Sequence, residues 1–505
     1  MNQNSRAINA KLNVIYGYVA QVGILILSFV GRKIFLSFLS ADYLGINGLY
    51  SNILTILSLA ELGLDTAVVY SLYKPVAEDN KVLIASMLRY FRKIYYVIAV
   101  VIFAVGLLLV PFLRFLIRSD LPFNDLIFYY VLFLINTVAS YFVAYKVALL
   151  SAYQEQRIQK LVMLSANFIL QIIHIIVLYI WENYYAYIIA NVISTIISNL
   201  ILNYVCYRKH ADIFSIDVYE EFDKNPIKQR ISHVFLYKFG TVLINSTDNI
   251  LISVLVSTIA VGYYSNYYTV VAAITGFISI ITTSLVSGVG NFAAQGKKKE
   301  QQDLFDMFLL PYHVLGALGL VGFSLLFNNL ITIWLGPQYL FDDVTVFIIA
   351  LNYYLSNAIS PVWMFREANG LFDKVKFLIL IRAAFNIVLS VAFGKLWGVF
   401  GIFLATALSL IITSFWYEPC ILSREVLHRS QYVYWKKQGK YFLETCVAFI
   451  VSAIVIKNIG DSFWWLLFKA ALVVMITLVV FFLANFKSNE FKRLLGYVFK
   501  RKTNA

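Results

Sequence analysis

Charge is scarce in this chain. Only 13% of its 505 residues are Asp, Glu, Lys or Arg, while 61% are apolar. No soluble fold needs that much apolar surface. Cysteine is scarce too. Cys206, Cys420 and Cys446 are an odd number with no CxxC spacing, which argues against a disulfide framework and a thiolate metal site. The sequence has no GxxxxGK[ST], no HExxH and no GxSxG. It therefore carries no nucleotide site of its own and no hydrolase signature. His174 and His313 have no partner at metal-ligand spacing. Strictly alternating apolar and polar residues are absent as well, which excludes a transmembrane barrel.

Long apolar runs are what the chain does have. Short polar or Gly/Pro breaks divide it into fourteen segments, most of them near or above the roughly 20 residues that span a bilayer. They lie at about 12–38, 44–73, 87–113, 125–150, 158–181, 184–206, 231–257, 262–293, 304–334, 341–366, 375–396, 398–422, 438–457 and 463–486. The weakest division is "KLWGVFG", between the eleventh and twelfth. The expected fold is an all-α polytopic membrane protein with about fourteen transmembrane helices, the first a retained helix and no cleaved signal.

With the N-terminus inside, connections and helix ends on the inner side carry thirty of the 41 Lys and Arg. The outer side carries four: Arg114, Arg118, Lys395 and Lys457. This asymmetry predicts that both termini are cytoplasmic. It also accounts for the net charge of +14 without nucleic acid. The expected organisation is a first group of six helices at 1–206, a linker at 207–230, a second six at 231–423, and two more helices with a basic tail at 424–505. The halves look related. An ungapped offset of 217 sets Gly23 on Gly240, Ser40 on Ser257, Gly45 on Gly262 and Tyr50 on Tyr267. Six-helix repeats enter the membrane with one orientation and would share a cavity at their interface.

Seven Lys and Arg remain after that count: Arg32, Lys33, Lys146, Lys238, Arg366, Arg382 and Lys469. A charge at the bilayer centre costs about 2.5–3.5 kcal/mol on insertion scales. Lys146, Lys238, Arg366, Glu418 and Glu444 lie near inner helix ends, where they can snorkel. Arg32, Arg382, Asp248 and Glu61 lie deeper, so they are expected to face protein or water. Glu61 and Asp65 are four residues apart in "SLAELGLDTAVVYSLYKP", on one helix face. Polar stripes at helical spacing occur at Asn167/Gln171/His174, Asn191/Ser194/Ser198 and Asn352/Ser356/Ser360. They suit either interhelical hydrogen bonds or a wet cavity.

The stretch "RKIFLSFLSADYLGINGLYSNILTILSLAELGLDTAVVYSLYKPVAEDNK" (32–81) resembles the first helical hairpin of Wzx-type polysaccharide repeat-unit flippases. These form part of the polysaccharide transport branch of the multidrug/oligosaccharidyl-lipid/polysaccharide (MOP) flippase superfamily. The resemblance implies two six-helix, MATE-like lobes that alternate access, with two extra C-terminal helices. It implies translocation of an undecaprenyl-pyrophosphate-linked oligosaccharide from the inner to the outer leaflet of the bacterial plasma membrane, for capsule or exopolysaccharide synthesis. Membrane lipids, a polysaccharide polymerase and other assembly proteins are the partners it implies.

A pyrophosphate head calls for cations, and the planar fork of Arg suits phosphate. Arg32 is the first candidate, followed by Arg382, Lys238 and Arg366, with Asp248 and Asn249 as polar lining. Glu61 and Asp65 are candidates for pairing with those cations, or for taking the H+ or Na+ that drives the cycle. No cofactor, metal or catalytic residue is expected. A lipid II flippase and a cation antiporter of the same superfamily are the rival readings. A polysaccharide polymerase would be an enzyme with a long outer loop, and the outer loops here are only a few residues long.

Overall fold

The computed structural model describes residues 22–23, 25–61, 64–294 and 298–500. Every element among them is helical, as a chain in lipid requires when its backbone groups must be satisfied within each segment. The helices are α1 (25–38), α2 (Ala41–Leu57), α3 (Leu64–Ala77), α4 (Lys81–Leu108), α5 (Phe123–Ala152), α6 (Gln156–Trp181), α7 (Tyr184–Lys209) and α8 (Asn225–Leu255). They continue with α9 (Thr258–Ala294), α10 (Lys298–Trp334), α11 (Asp343–Ala368), α12 (Phe372–Ile412), α13 (Ser414–Glu425), α14 (Tyr432–Ile456), α15 (Phe463–Asn485) and α16 (Asn489–Lys500).

Wherever their residues are described, the fourteen apolar segments fall on helices, the first of them from residue 22 onward. Nine helical stretches among the described residues are individually long and apolar enough to cross a membrane. One of them, Phe372–Glu425, holds two spans. Its α12 breaks at Gly398, where φ is +60° and ψ −134°. The arms double back: Asn386 Nδ2 donates to Thr406 Oγ1 at 3.0 Å, and a Cβ on Gly401 would strike the Phe393 carbonyl. The second apolar segment is also broken. It runs as α2, a 3-10 turn at Ser58–Glu61, and then α3.

The chain divides into two compact units, 1–269 and 270–505. In the first, α5 packs on α3, α4 and α7. Tyr50, Phe91, Tyr95 and Tyr130 are fully buried there. A phenol in lipid needs an acceptor. Tyr50 donates to the Leu126 carbonyl at 2.7 Å and Tyr130 to that of Gly106 at 3.1 Å. In the second unit, α10 packs on α11, α14 and α15 around Phe305, Phe365 and Tyr434. Large apolar side chains such as Leu108, Tyr179, Ile454 and Trp464 stand exposed on the outer faces, where lipid would cover them.

Within the first unit, α2 crosses the start of α9 at backbone contact. A Cβ on Gly45 would strike the Thr258 carbonyl, and one on Gly262 would strike the Ala41 carbonyl. The offset of 217 pairs Gly45 with Gly262 and also Ala41 with Thr258. Each glycine therefore meets the residue one turn before the other glycine. Small residues at a crossing let two backbones approach where lipid supplies no hydrophobic drive. Thr258 is held further by its N–H on the Arg118 carbonyl at 3.0 Å and by its hydroxyl, which accepts from Arg118 N–H at 3.0 Å.

Gly398→Ala places a Cβ in a backbone region that only glycine occupies freely, so it should lower stability by about 1–3 kcal/mol. Gly322→Ala in α10, where nothing lies within 4 Å of the added Cβ, should be neutral or slightly stabilising. Thermal unfolding of the two variants in the same detergent checks both.

Candidate functional site

Arg32 projects from α1 among three other helices. At the preceding residue, Gly31, α6 is close: an added Cβ would sit 2.6 Å from Gln171 Oε1. The guanidinium forks onto α9, with Nη1 donating to Ser265 Oγ at 2.9 Å and Nη2 to Thr269 Oγ1 at 3.0 Å. Those hydroxyls are one helical turn apart, which matches the fork. The Tyr187 phenol of α7 is within electrostatic reach of Arg32. Its ring lies flat on His174 at 3.6 Å and edge-on to Phe35 at 5.1 Å. The partners that hold Arg32 are neutral. Among the described residues no carboxylate lies within ion-pair distance of it.

A second polar group meets the same stretch of α9. Asp248 and Asn249 are half-buried on α8, and the Asp248 carboxylate acts on the Tyr264 phenol next to Ser265. Asn249 approaches Gly48, and its Oδ1 has no hydrogen-bond partner among the described residues. Asn266 is fully buried, and neither atom of its amide is partnered. An unpartnered buried amide is costly, so these groups mark a place where a polar ligand or water would be welcome. Lys238, earlier on α8, is half-buried. The structure thus brings Arg32, Asp248 and Asn249 to one region of the first unit.

Asp65 is exposed on α3 and accepts from the Tyr95 hydroxyl. The side chain of Glu61 lies outside the described residues.

The remaining two arginines are in the second unit. Arg382 is buried on the first arm of α12, in line with buried Asn386 and Ser390. Arg366 is buried on α11 and bonded to the Glu418 carboxylate of α13, which Trp363 Nε1 also approaches at 3.4 Å. Their side chains are 4% and 0% exposed. The sequence had suggested snorkelling for both residues. They neutralise each other instead, because opposite charges on adjacent helices need not reach water. Of the other expected snorkellers, Glu444 accepts from Asn485 Nδ2 at 2.8 Å, and Lys146 is buried on Asn203.

Several polar stripe residues bond their own helices. Ser198 donates to the Ser194 carbonyl at 2.7 Å and Ser360 to that of Ser356 at 2.7 Å. Asn352 also crosses to the Phe403 carbonyl at 2.8 Å. Ser265, Thr269 and Tyr187 were not anticipated from the sequence. The hydroxyls at i and i+4 in "SNYYT", inside an apolar run, were the available signal.

The fold and these charges define a polytopic membrane protein. The family described as "Polysaccharide biosynthesis protein" matches residues 11–286. That is more than half of the chain, and the chain belongs to this family. No curated protein sequence matches it. Among solved structures, the lipid II flippase MurJ in an inward closed conformation is similar at 15% identity, over 93% of this chain and 99% of that one, with a TM-score of 0.69. An inward-facing multidrug resistance MATE family transporter of the MOP superfamily is similar at 12% identity, over 80% and 98%, with a TM-score of 0.63. A point mutant of the Vibrio cholerae MATE transporter VcmN is similar at 13% identity, over 85% and 100%, with a TM-score of 0.57. At these identities the likeness speaks for the fold, which is that of MOP-superfamily transporters.

Arg366→Met leaves Glu418 charged and alone in the interior, and should cost about 3–5 kcal/mol. The double variant Arg366→Met/Glu418→Leu removes both charges and should recover most of that loss. Chemical denaturation in detergent micelles, run on the single and double variants together, measures the difference.

Proposed function

We propose that this protein is a flippase for undecaprenyl-pyrophosphate-linked oligosaccharide repeat units. It would carry them from the inner to the outer leaflet of a bacterial plasma membrane for cell-surface polysaccharide synthesis. The observation that carries this reading is Arg32, a cation within a membrane span whose fork is held by Ser265 and Thr269 and which no carboxylate among the described residues pairs with. A pyrophosphate is the anion that such a fork suits, through charge-assisted and bidentate hydrogen bonds. Family membership supplies the polysaccharide context, and the transporter fold supplies a route across the bilayer without a catalytic centre. A carrier of cationic drugs would repel its substrate at this position.

In this reading the head group exchanges for, or adds to, the hydroxyl partners of Arg32 while the polyprenyl tail stays in lipid. Alternating access moves the head. Arg382 and Lys238 are further cation candidates. Arg366 is a weaker one, since Glu418 already takes its charge. Asp248 and Asn249 would hydrogen-bond sugar hydroxyls. Asp65 and Glu61 are candidate sites for H+ or Na+ coupling. Both termini would be cytoplasmic, from the thirty-to-four distribution of basic residues. A polymerase and other assembly proteins would receive the delivered unit.

The test is transport by purified protein in proteoliposomes containing an undecaprenyl-pyrophosphate oligosaccharide. Wild type should move it between leaflets. Arg32→Ala should lose at least about tenfold in rate, the scale of one charge-assisted hydrogen bond to a phosphate. Imposed H+ and Na+ gradients then decide whether Asp65→Asn uncouples transport. A wild type that leaves the lipid-linked sugar in place but extrudes cationic dyes would overturn the reading.

A further inference from the structure

The connection between α7 and α8 is strapped along the start of α4. Asp212 pairs with Lys81 at 2.6 Å, and the N–H of Glu220 donates to Ser86 Oγ at 2.8 Å. Phe222 packs edge-on against Tyr90 at 5.7 Å. The Arg89 guanidinium gathers three successive backbone carbonyls: Ile216 at 3.0 Å, Asp217 at 3.1 Å and Val218 at 2.5 Å. This arginine spends three of its five donors on the strap and holds it down.

Beneath the strap lies a cavity of about 190 Å³, walled by Arg89, Arg92, Tyr145, Phe214 and Asp217 together with aliphatic side chains. Arg92 is one turn beyond Arg89, on the same cavity wall as the Tyr145 phenol, and its charge acts on that phenol. Lys146 lies directly behind this wall. It is buried, with its ammonium on Asn203, 4.9 Å from the centre of the Phe214 ring and 5.7 Å from that of Tyr145. The charged side chain that acts on Lys146 is Arg92, of the same sign. Among the described residues neither cation has a carboxylate within ion-pair distance. The nearby Glu155 is taken by Lys209 at 2.8 Å and His210 at 3.2 Å. Asp217 is the carboxylate on the wall, and no ion pair ties it to either cation.

Two like charges that repel across a half-enclosed space, one of them buried, leave a positive potential that the single carboxylate of Asp217 answers only in part. Low-dielectric walls concentrate such a field. We propose that this cavity binds a phosphate-type oxyanion, with Arg92 and the Tyr145 hydroxyl donating to it and Lys146 balancing its charge from behind. Because the strap forms one wall and Arg89 pins it, the bound anion would also fix residues 211–222 against α4. The site is separate from the Arg32 region and does not depend on the transport reading. The oxyanion has two available sources, a soluble phosphate compound or the head group of an anionic phospholipid.

The experiment uses full-length protein and backbone hydrogen exchange over residues 211–222. One arm adds inorganic pyrophosphate to phospholipid-free detergent micelles. The other compares nanodiscs of phosphatidylcholine with and without phosphatidylglycerol. Exchange should slow several-fold in at least one arm. Protection in micelles assigns the site to a soluble phosphate, and protection confined to phosphatidylglycerol discs assigns it to a head group. Arg92→Gln, at an exposed side chain that folding tolerates, should weaken the apparent affinity at least about tenfold. Asp217→Asn should strengthen it by removing the competing carboxylate. Arg493→Gln, on α16, should leave it unchanged. No protection in either arm, or equal protection in wild type and Arg92→Gln, would overturn the proposal.

Discussion

A charge inside a membrane-spanning chain must be answered by something other than bulk water, and the arrangement of this protein follows from how each one is answered. Arg366 and Glu418 answer each other and become a bolt between α11 and α13. Lys469 reaches Asp461 at 2.6 Å, at the start of α15. Glu444 is shared between Asn485 and Lys440. Arg32 is answered differently: two hydroxyls fix its geometry, and among the described residues no carboxylate pairs with it. A charge fixed in place and left electrostatically open is the arrangement that ligand binding needs, because its orientation is settled before the ligand arrives.

The Gly45/Gly262 crossing gives this arrangement its frame. It brings α2 and the start of α9 to backbone contact, which sets the depth at which Ser265 and Thr269 stand on α9. Arg32, one helix earlier than α2, then meets them. The crossing is symmetric under the same 217-residue offset that relates the sequences, since Ala41 and Thr258 exchange roles as the glycines do. A bulky residue at either glycine would separate the helices and lengthen the hydrogen bonds that hold Arg32.

The helical, membrane-spanning character was legible in the sequence because it rests on run length and on the distribution of Lys and Arg, both one-dimensional properties. Among the described residues the fourteen segments fall on helices, and even the weak "KLWGVFG" boundary coincides with the reversal at Gly398. The break of the second span at Ser58–Glu61 was not legible. A continuous apolar run looks the same whether its backbone is α-helical throughout or tightens locally. Pairings were less legible than spans. Arg366 and Glu418 are 52 positions apart, and each alone looked able to reach the interface. Ser265 and Thr269 read as ordinary polar residues until α9 was placed against Arg32. Asp65 looked like a partner for cations, whereas its hydrogen bond is to Tyr95, a contact between neighbouring helices that no periodicity announces.

The account comes down to one side chain whose charge is held ready for an anionic head group. The most direct measurement is the dissociation constant of an undecaprenyl-pyrophosphate oligosaccharide from purified protein, obtained by native mass spectrometry for wild type, Arg32→Gln and the surface variant Arg493→Gln. The account predicts that Arg32→Gln binds at least about tenfold more weakly, while Arg493→Gln binds as wild type does. Equal binding by wild type and Arg32→Gln would contradict it.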